Sequence, residues 1–468
     1  MNRLVGTLLL TVSLQAIAAD TPNIIFILAD DLGYAELGCY GQQKIKTPHI
    51  DRLAQEGMRF TQYYSGHPVC APSRCALLTG FHSGHGFIRD NREIGERKSF
   101  EGQLPLPENT RTLGHLLKER GYTTGCVGKW GLGAVGSSGE PHKQGFDFFF
   151  GYNCQRHAHN YYPAYLVKDR DKVVLEGNSD GLTGKVYAGD AIGEEALSFV
   201  RRNKDRPFFL YFATPVPHAA LQVPDDSLAE YADKFDDKPY DGKAGGYLPH
   251  PKPRAAYAAM ITRMDRDVGR LMALLKELKL DENTIVFFAS DNGPTFNGGT
   301  DSAYFNSAGG FRGLKQAVYE GGVRVPFIAR WQGKIPAGKV SDHICAAWDV
   351  VPTLAELLNI PAPNGIDGLS LLPTLLDKPG QKQHEYLYWE SGALHGGEQA
   401  VRAGDWKAVR VGLRRNADAP LQLYNLKEDP AESTDLAKDN PGMAAKMLEL
   451  MKAARTPSPQ FPLYQNEK

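Results

Sequence analysis

The chain has 468 residues, with 53 Lys and Arg against 54 Asp and Glu, 42% hydrophobic residues and six Cys. A net charge of −1 supplies no global field for nucleic acid or an anionic membrane surface, so an anionic ligand has to be met by a local cluster of cations. The cysteines, at 39, 70, 75, 126, 154 and 345, are too few for a disulfide scaffold and form no Cys-x-x-Cys pair for zinc, and the length and composition are those of an ordinary globular chain of more than one domain.

The first residues read as an export signal. Arg3 gives a positive start, residues 4–17 an apolar stretch, and Ala16-Ile17-Ala18-Ala19 a small-residue cleavage site near Ala18 or Ala19. No other stretch reaches the roughly 18 apolar residues of a membrane span, so a secreted or periplasmic protein with no membrane segment is expected. Residues 23–29 (NIIFILA), 207–213 (PFFLYFA) and 284–289 (TIVFFA) are continuous apolar runs, which predict strands covered on both faces in a parallel sheet between helices. These runs lead into Asp30-Asp31, His218 and Ser290-Asp291-Asn292 respectively. Ligands gather beyond the carboxyl ends of such strands, so these groups are expected to converge.

Ile261, Met264, Val268, Leu271, Leu275 and Leu278 recur at spacings of three and four, predicting an amphipathic helix over 258–280. Shorter helical patterns cover 110–120 and 348–358, the second with Pro352 in its first turn. Residues 241–253 and 297–313 are Gly- and Pro-rich and read as long surface loops. Beyond Gly368 the texture changes: short strand-like runs at 385–389, 399–402, 406–411 and 422–426 precede a helical pattern at 443–454. A catalytic unit over 20–367 and a small α+β unit over 368–468 are expected.

Asp30, Asp31, Asp291 and Asn292 supply four oxygen-bearing side chains with no His or Cys beside them, a set suited to calcium or magnesium rather than zinc. Helix capping and a turn are the competing readings of these pairs. Cys70 precedes a helix that Pro72 can open, at the electropositive end, where a thiol can serve as a nucleophile or simply pack.

The run Cys70-x-Pro72-Ser73-Arg74 followed by Leu78-Thr79-Gly80 resembles the signature of the type I sulfatases, whose cysteine is oxidised to formylglycine, 3-oxoalanine. The resemblance continues in family order through Asp30-Asp31, Gly128-Lys129-Trp130, His218, Ser290-Asp291-Asn292-Gly293 and Lys315 ahead of Tyr319-Glu320-Gly321-Gly322. It implies an alkaline-phosphatase-like α/β fold, with a large mixed, mostly parallel sheet between helices and a small C-terminal antiparallel α+β domain. It also implies one calcium ion on Asp30, Asp31, Asp291, Asn292 and the modified Cys70, and a formylglycine-generating maturation enzyme as partner. In that pattern the hydrated aldehyde attacks sulfur while Arg74, Lys129 and Lys315 clamp the sulfate. His218 and Lys315 flank the leaving oxygen, with His218 as general acid. Setting Cys70 aside leaves an odd number of cysteines, most of them expected to be buried free thiols.

One position departs from the family pattern. Many relatives read Gly-Lys-Trp-His-Leu-Gly, whereas this chain reads Gly128-Lys129-Trp130-Gly131-Leu132-Gly133. Gly131 can do no acid–base work, so the histidine's role is absent, taken by another group such as His85, or left to water. Residues 152–162 pack His, Asn, Gln, Arg and Tyr into one loop, and Gln155, His157, His159 and Asn160 there join His85, Arg89, Asn91 and Asp301 as candidate substrate-binding residues. Loops that merely cap the sheet are the competing reading. These loops resemble those of bacterial glycan-degrading sulfatases, which implies a sulfated carbohydrate substrate with a galactose- or galactosamine-type unit, and their length, enough to form a pocket, leads to an expectation of exo action. A phosphodiester or phosphonate monoester hydrolase on the same scaffold, and a catalytically silent sulfated-glycan-binding relative, are the alternatives.

Overall fold

The computed structural model describes residues 21–94, 102–243, 246–465 and 467. The export signal expected over 1–19 lies outside the described residues, and no helix among them is long and apolar enough to cross a membrane.

The three apolar runs become neighbouring strands. Asn23–Ala29 lies between Phe208–Ala213 and Thr284–Ser290, parallel to both. Thr123–Lys129 and Phe148–Tyr152 continue the parallel array on the Phe208–Ala213 side. Antiparallel pairing begins only outside this centre, at Phe327–Arg330 on one flank and Tyr165–Lys168 on the other, and the whole sheet has ten strands.

Strand alternation divides the apolar side chains between two layers. Ile25, Ile27 and Ala29 pack with Ile192 and Leu197 of helix Ala188–Asn203 and with Val268, Leu271 and Leu275 of helix Pro253–Glu277. Ile24, Phe26 and Leu28 face the other way, onto Leu77 and Leu78 of helix Cys70–Thr79, Leu116 of Leu113–Lys118 and Leu354 of Val350–Leu357. The helix expected over 258–280 begins earlier, at Pro253, because proline is tolerated in a first turn. It ends at Glu277, and Lys279 then turns the chain at φ 58°.

Leu387–Ser391, Glu398–Ala403, Trp406–Val411 and Gln422–Asn425 form a separate antiparallel sheet of four strands. Trp389, Ala400, Val409 and Tyr424 on one face pack with Tyr64, Val323 and Trp348 of the main body. Tyr388, Val401, Ala408 and Leu423 on the other face pack on Met447 and Met451 of helix Pro441–Ala453.

A buried charge cluster joins this small sheet to the main body. Lys407 Nζ lies 2.9 Å from Glu320 Oε1 and 3.1 Å from Glu432 Oε1, with all three side chains fully buried. Tyr64 donates to Glu320 Oε2 at 2.6 Å, and the Glu320 N–H donates to Glu432 Oε2 at 2.7 Å. Removing one member of a buried charge pair strands the other, at a cost of about 3–5 kcal/mol. Lys407→Met is therefore expected to lower unfolding stability by about that amount. A urea midpoint unchanged from the parent protein would contradict it.

Candidate active site

The carboxyl ends of the parallel strands deliver the functional side chains. Asn23–Ala29 runs into Asp30-Asp31, with Asp31 at φ 69°, a left-handed conformation that Asp adopts more readily than most residues. Thr284–Ser290 runs into Asp291-Asn292. The Asp31 N–H donates to Asp291 Oδ1 at 3.0 Å, and Asn292 Nδ2 donates to Asp31 Oδ1 at 2.8 Å. Lys129 ends the strand Thr123–Lys129, and His218 follows Phe208–Ala213. Lys315 arrives on a loop that lies directly against the 290–293 turn. The Gly293 N–H donates to Gly322 O at 2.9 Å, and a Cβ on Gly293 would sit 2.0 Å from Gly321 O, so only glycine permits that approach.

Three cations meet three carboxylates in this buried space. Lys129 Nζ is 2.6 Å from Asp30 Oδ2, and Lys315 Nζ is 2.7 Å from Asp31 Oδ2. Arg74 Nη2 is 2.7 Å from Asp291 Oδ2 and 3.6 Å from Asp30 Oδ1, while its Nη1 donates to Lys129 O at 2.6 Å. Burial alone would raise the Asp30 carboxyl, but Lys129, then His218, Arg74 and Lys315, hold it well below the usual carboxylate range. Asp291 moves the other way: burial and the neighbouring Asp30 push it up to about 7 against the pull of Arg74. Burial would lower Lys315, yet Asp31, followed by Cys70 and Tyr247, keeps it well above the usual lysine range and therefore an ammonium. Burial, then Lys315 and Lys129, hold His218 well below the usual histidine range. Its Nδ1 contacts the Ala219 carbonyl, which can only accept, so Nδ1 carries the proton and Nε2, 3.6 Å from Asp31 Oδ2, faces the site as a lone pair.

Cys70 opens the helix Cys70–Thr79, which is buried along its whole length. Its Sγ lies 3.4 Å from Asp30 Oδ1 and 3.8 Å from Asp31 Oδ1. Burial pushes the thiol far up, past the lowering by Lys129 and Lys315, so an unmodified Cys70 stays neutral. Among the described residues no cysteine forms a disulfide, and of the other five all but the half-buried Cys39 are buried.

The residues fit a hard divalent cation. Asp30, Asp31, Cys70 and His218 bring one ligand atom each within 4.8 Å of one another. Among the described residues Asn292 Oδ1 is buried without a hydrogen-bond partner, although its Nδ2 donates to Asp31 Oδ1 and to Gly293 O. Crowded carboxylates beside an orphaned amide oxygen are the donor set of calcium or magnesium. Sγ is the one soft atom in the set, and an oxygen in its place would leave the His218 nitrogen as the one donor that is not oxygen.

The candidate substrate residues divide into two groups. His159 stacks on His218 with ring centroids 4.9 Å apart, and Asn91 Oδ1 accepts from the Ala71 N–H at 2.8 Å, directly after Cys70. Gln155 lies buried beside Gly131, and His157 is packed between Tyr152 and Tyr165. Others have their polar atoms committed elsewhere. Arg89 ties the loop after helix Cys70–Thr79 to the small sheet, through Glu390 Oε1 at 2.6 Å and Thr456 O at 2.9 Å. His85 Nδ1 pairs with Asp367 Oδ1 at 2.8 Å while its ring stacks on His82. Asn160 stitches its own loop to Asp180 O and the Tyr162 N–H, and Asp301 caps the helix Ser302–Phe305 and pairs with Arg254. With His85 held in the Asp367 clamp, His85→Ala is expected to leave kcat/KM within about threefold of the parent while lowering stability by about 1–3 kcal/mol. A change in the pH–rate profile would contradict that.

Tyr247 escaped the sequence reading. Its ring packs 5.1 Å from His159 and 5.9 Å from His218, walling the approach to the site. The available signal was an aromatic residue inside the Gly- and Pro-rich loop 241–253.

A buried set of carboxylates edged by cations, at the strand ends of a doubly covered sheet, suits a hydrolase of anionic esters. The family model described as sulfatase matches residues 22–360, and that described as N-sulphoglucosamine sulphohydrolase, C-terminal, matches residues 311–456. The chain is 35% identical over 406 residues to the N-acetylgalactosamine-6-sulfatase of Canis lupus familiaris, covering 84% of this chain and 72% of the relative. It is 30% identical to the N-acetylgalactosamine-6-O-sulfatase of Bacteroides thetaiotaomicron, covering 93% of each. The crystal structure of Ps i-CgsB in complex with k-i-k-neocarrahexaose superposes with a TM-score of 0.77 at 30% identity, covering 95% of each chain. The chain belongs to the sulfatase family of the alkaline-phosphatase-like superfamily, and its class of enzyme is the sulfuric ester hydrolases.

Proposed function

We propose that this protein hydrolyses a sulfate ester on a galactose- or galactosamine-type carbohydrate, acting from the chain end, after Cys70 has been converted to formylglycine by a maturation enzyme. The observation that carries this is the convergence of Arg74, Lys129 and Lys315 on one buried space around residue 70. Relatives named for N-acetylgalactosamine sulfate esters and a neighbour solved with a neocarrahexaose support the sugar class.

Asp30, Asp31, Asp291 and Asn292 would hold calcium. The modified residue supplies an oxygen nucleophile, and the bound ion supplies positive charge beside it. Arg74, Lys129 and Lys315 neutralise the non-bridging sulfate oxygens, exchanging part of their contact with the carboxylates for contact with the anion. Lys315 and His218 flank the leaving oxygen. Burial, then the facing Lys315 and Lys129, favour the neutral form of His218. A bound anion offsets those cations and favours the imidazolium that protonates the leaving group. His159 and Tyr247 wall the sugar side of His218. Residues 20–367 would form the catalytic unit and 368–468 the unit closing one side. We also infer export to the periplasm or beyond, with cleavage near Ala18 or Ala19.

The test is a turnover comparison on calcium-loaded protein from a host with a maturation system. It sets a 6-sulfated N-acetylgalactosamine and 4-nitrophenyl sulfate against 4-nitrophenyl phosphate and phenylphosphonate. Sulfate release from the sugar should be fastest, and chelation should remove most of it. Faster phosphorus chemistry would overturn the sulfatase function.

A further inference from the structure

Gly131 lies two residues beyond Lys129 and adopts φ 77°, with its N–H donating to Asn153 O at 3.0 Å. A Cβ built there would lie 2.0 Å from Gln155 Nε2 and 3.1 Å from Gln155 Cδ. The Gln155 carboxamide therefore fills the space through which any side chain at 131 would leave the backbone. The pairing of Thr123–Lys129 with Phe148–Tyr152 brings this about: Lys129 is registered with Tyr152, so the two strand exits run side by side.

The carboxamide itself is unengaged. Gln155 is 5% exposed, and among the described residues neither its Nε2 nor its Oε1 has a hydrogen-bond partner. Its main chain, by contrast, is anchored. The Gln155 N–H donates to Gln103 Oε1 at 3.3 Å, and Gln103 Nε2 donates to Arg92 O at 3.2 Å. The adjacent Asn91 holds the Ala71 N–H at 2.8 Å, one residue from Cys70. Folded proteins rarely keep a buried amide with both ends unpaired unless a bound group completes it. Here the amide lies against Gly131, two residues beyond Lys129, the cation that ends its strand at the site.

We propose, on the footing of the sulfatase function inferred above, that Gln155 is an anion-binding residue of the site, its Nε2 donating to the bound sulfate group, and that position 131 is glycine to leave room for it. A carboxamide exchanges no proton at working pH, so Gln155 binds and orients without acid–base work.

The test is calorimetric titration of inorganic sulfate into the full-length, calcium-loaded Cys70→Ala protein, with and without substitutions at 155. Gln155→Ala should weaken sulfate binding about tenfold, the worth of one hydrogen bond to a charged acceptor. Gln155→Glu, nearly the same shape but carrying a carboxylate, should weaken it further. In the unsubstituted Cys70 enzyme, Gln155→Ala should raise KM without moving the pH–rate profile. Equal sulfate affinity in parent, Gln155→Ala and Gln155→Glu would overturn the Gln155 role alone. No sulfate binding by the Cys70→Ala parent would overturn the sulfatase function and the Gln155 role with it.

Discussion

Replacing Cys70 with alanine is expected to lower sulfate-ester turnover by on the order of 10⁵-fold or more, the scale seen when a covalent nucleophile is removed. Binding of the sulfated sugar should change by less than about tenfold. The two effects separate because the clamp is built from other residues. Arg74 is tied to Asp291 and Lys129 O, Lys129 to Asp30 and Lys315 to Asp31, and none of these contacts passes through Sγ. Burial pushes the thiol far up and so disfavours the thiolate that an unmodified Cys70 would need. Parallel measurement of single-turnover rate and ligand affinity checks this, and a variant retaining a tenth of the parent rate would rule out chemistry at residue 70.

Lys315→Ala is expected to cost about 10³–10⁴-fold in kcat/KM, because in the proposed mechanism one ammonium serves both the sulfate oxygens and the leaving oxygen. It should also destabilise the fold, since Asp31 loses its 2.7 Å partner in a fully buried place. Lys315→Arg should recover much of the stability but little of the rate: the guanidinium keeps the charge, while its planar fork cannot take the position of a compact ammonium. The loss should be smaller for a substrate with a good leaving group, such as 4-nitrophenyl sulfate, than for a sugar sulfate, whose alkoxide needs the proton more. Equal losses on both substrates would remove Lys315 from leaving-group protonation and confine it to anion binding.

What the chain reveals before folding depends on how locally each feature is encoded. Residues 23–29, 207–213 and 284–289 could be recognised as central strands because burial on both faces demands an unbroken apolar run, and the observed strands begin and end within one residue of those runs. Thr123–Lys129 (TTGCVGK) was invisible to the same criterion, since two Gly, two Thr and a Lys interrupt it. Its strand character comes from parallel partners on both sides. The helix Pro253–Glu277 was found through its periodic half, whereas its first turns, Pro-Arg-Ala-Ala, carry little periodicity. The convergence of the acidic pairs and Cys70 was recognisable because each lies at a strand end or in a motif of fixed spacing. Arg89, His85 and Asp301 had the same polar character but found partners in Glu390, Asp367 and Arg254, which only the tertiary structure supplies. Tyr247 and the fit of Gln155 against Gly131 depend on loops and strand ends meeting in space, for which no local pattern exists.

Mass spectrometry of the peptide spanning Cys70, taken from protein matured in a host with a formylglycine-generating enzyme, is the most direct measurement of the central claim. Fractions enriched in the modified form are assayed alongside for sulfate release. The peptide should show loss of the thiol and gain of an aldehyde, with turnover rising in proportion to the modified fraction. Full activity in protein whose Cys70 is entirely unmodified would contradict the account.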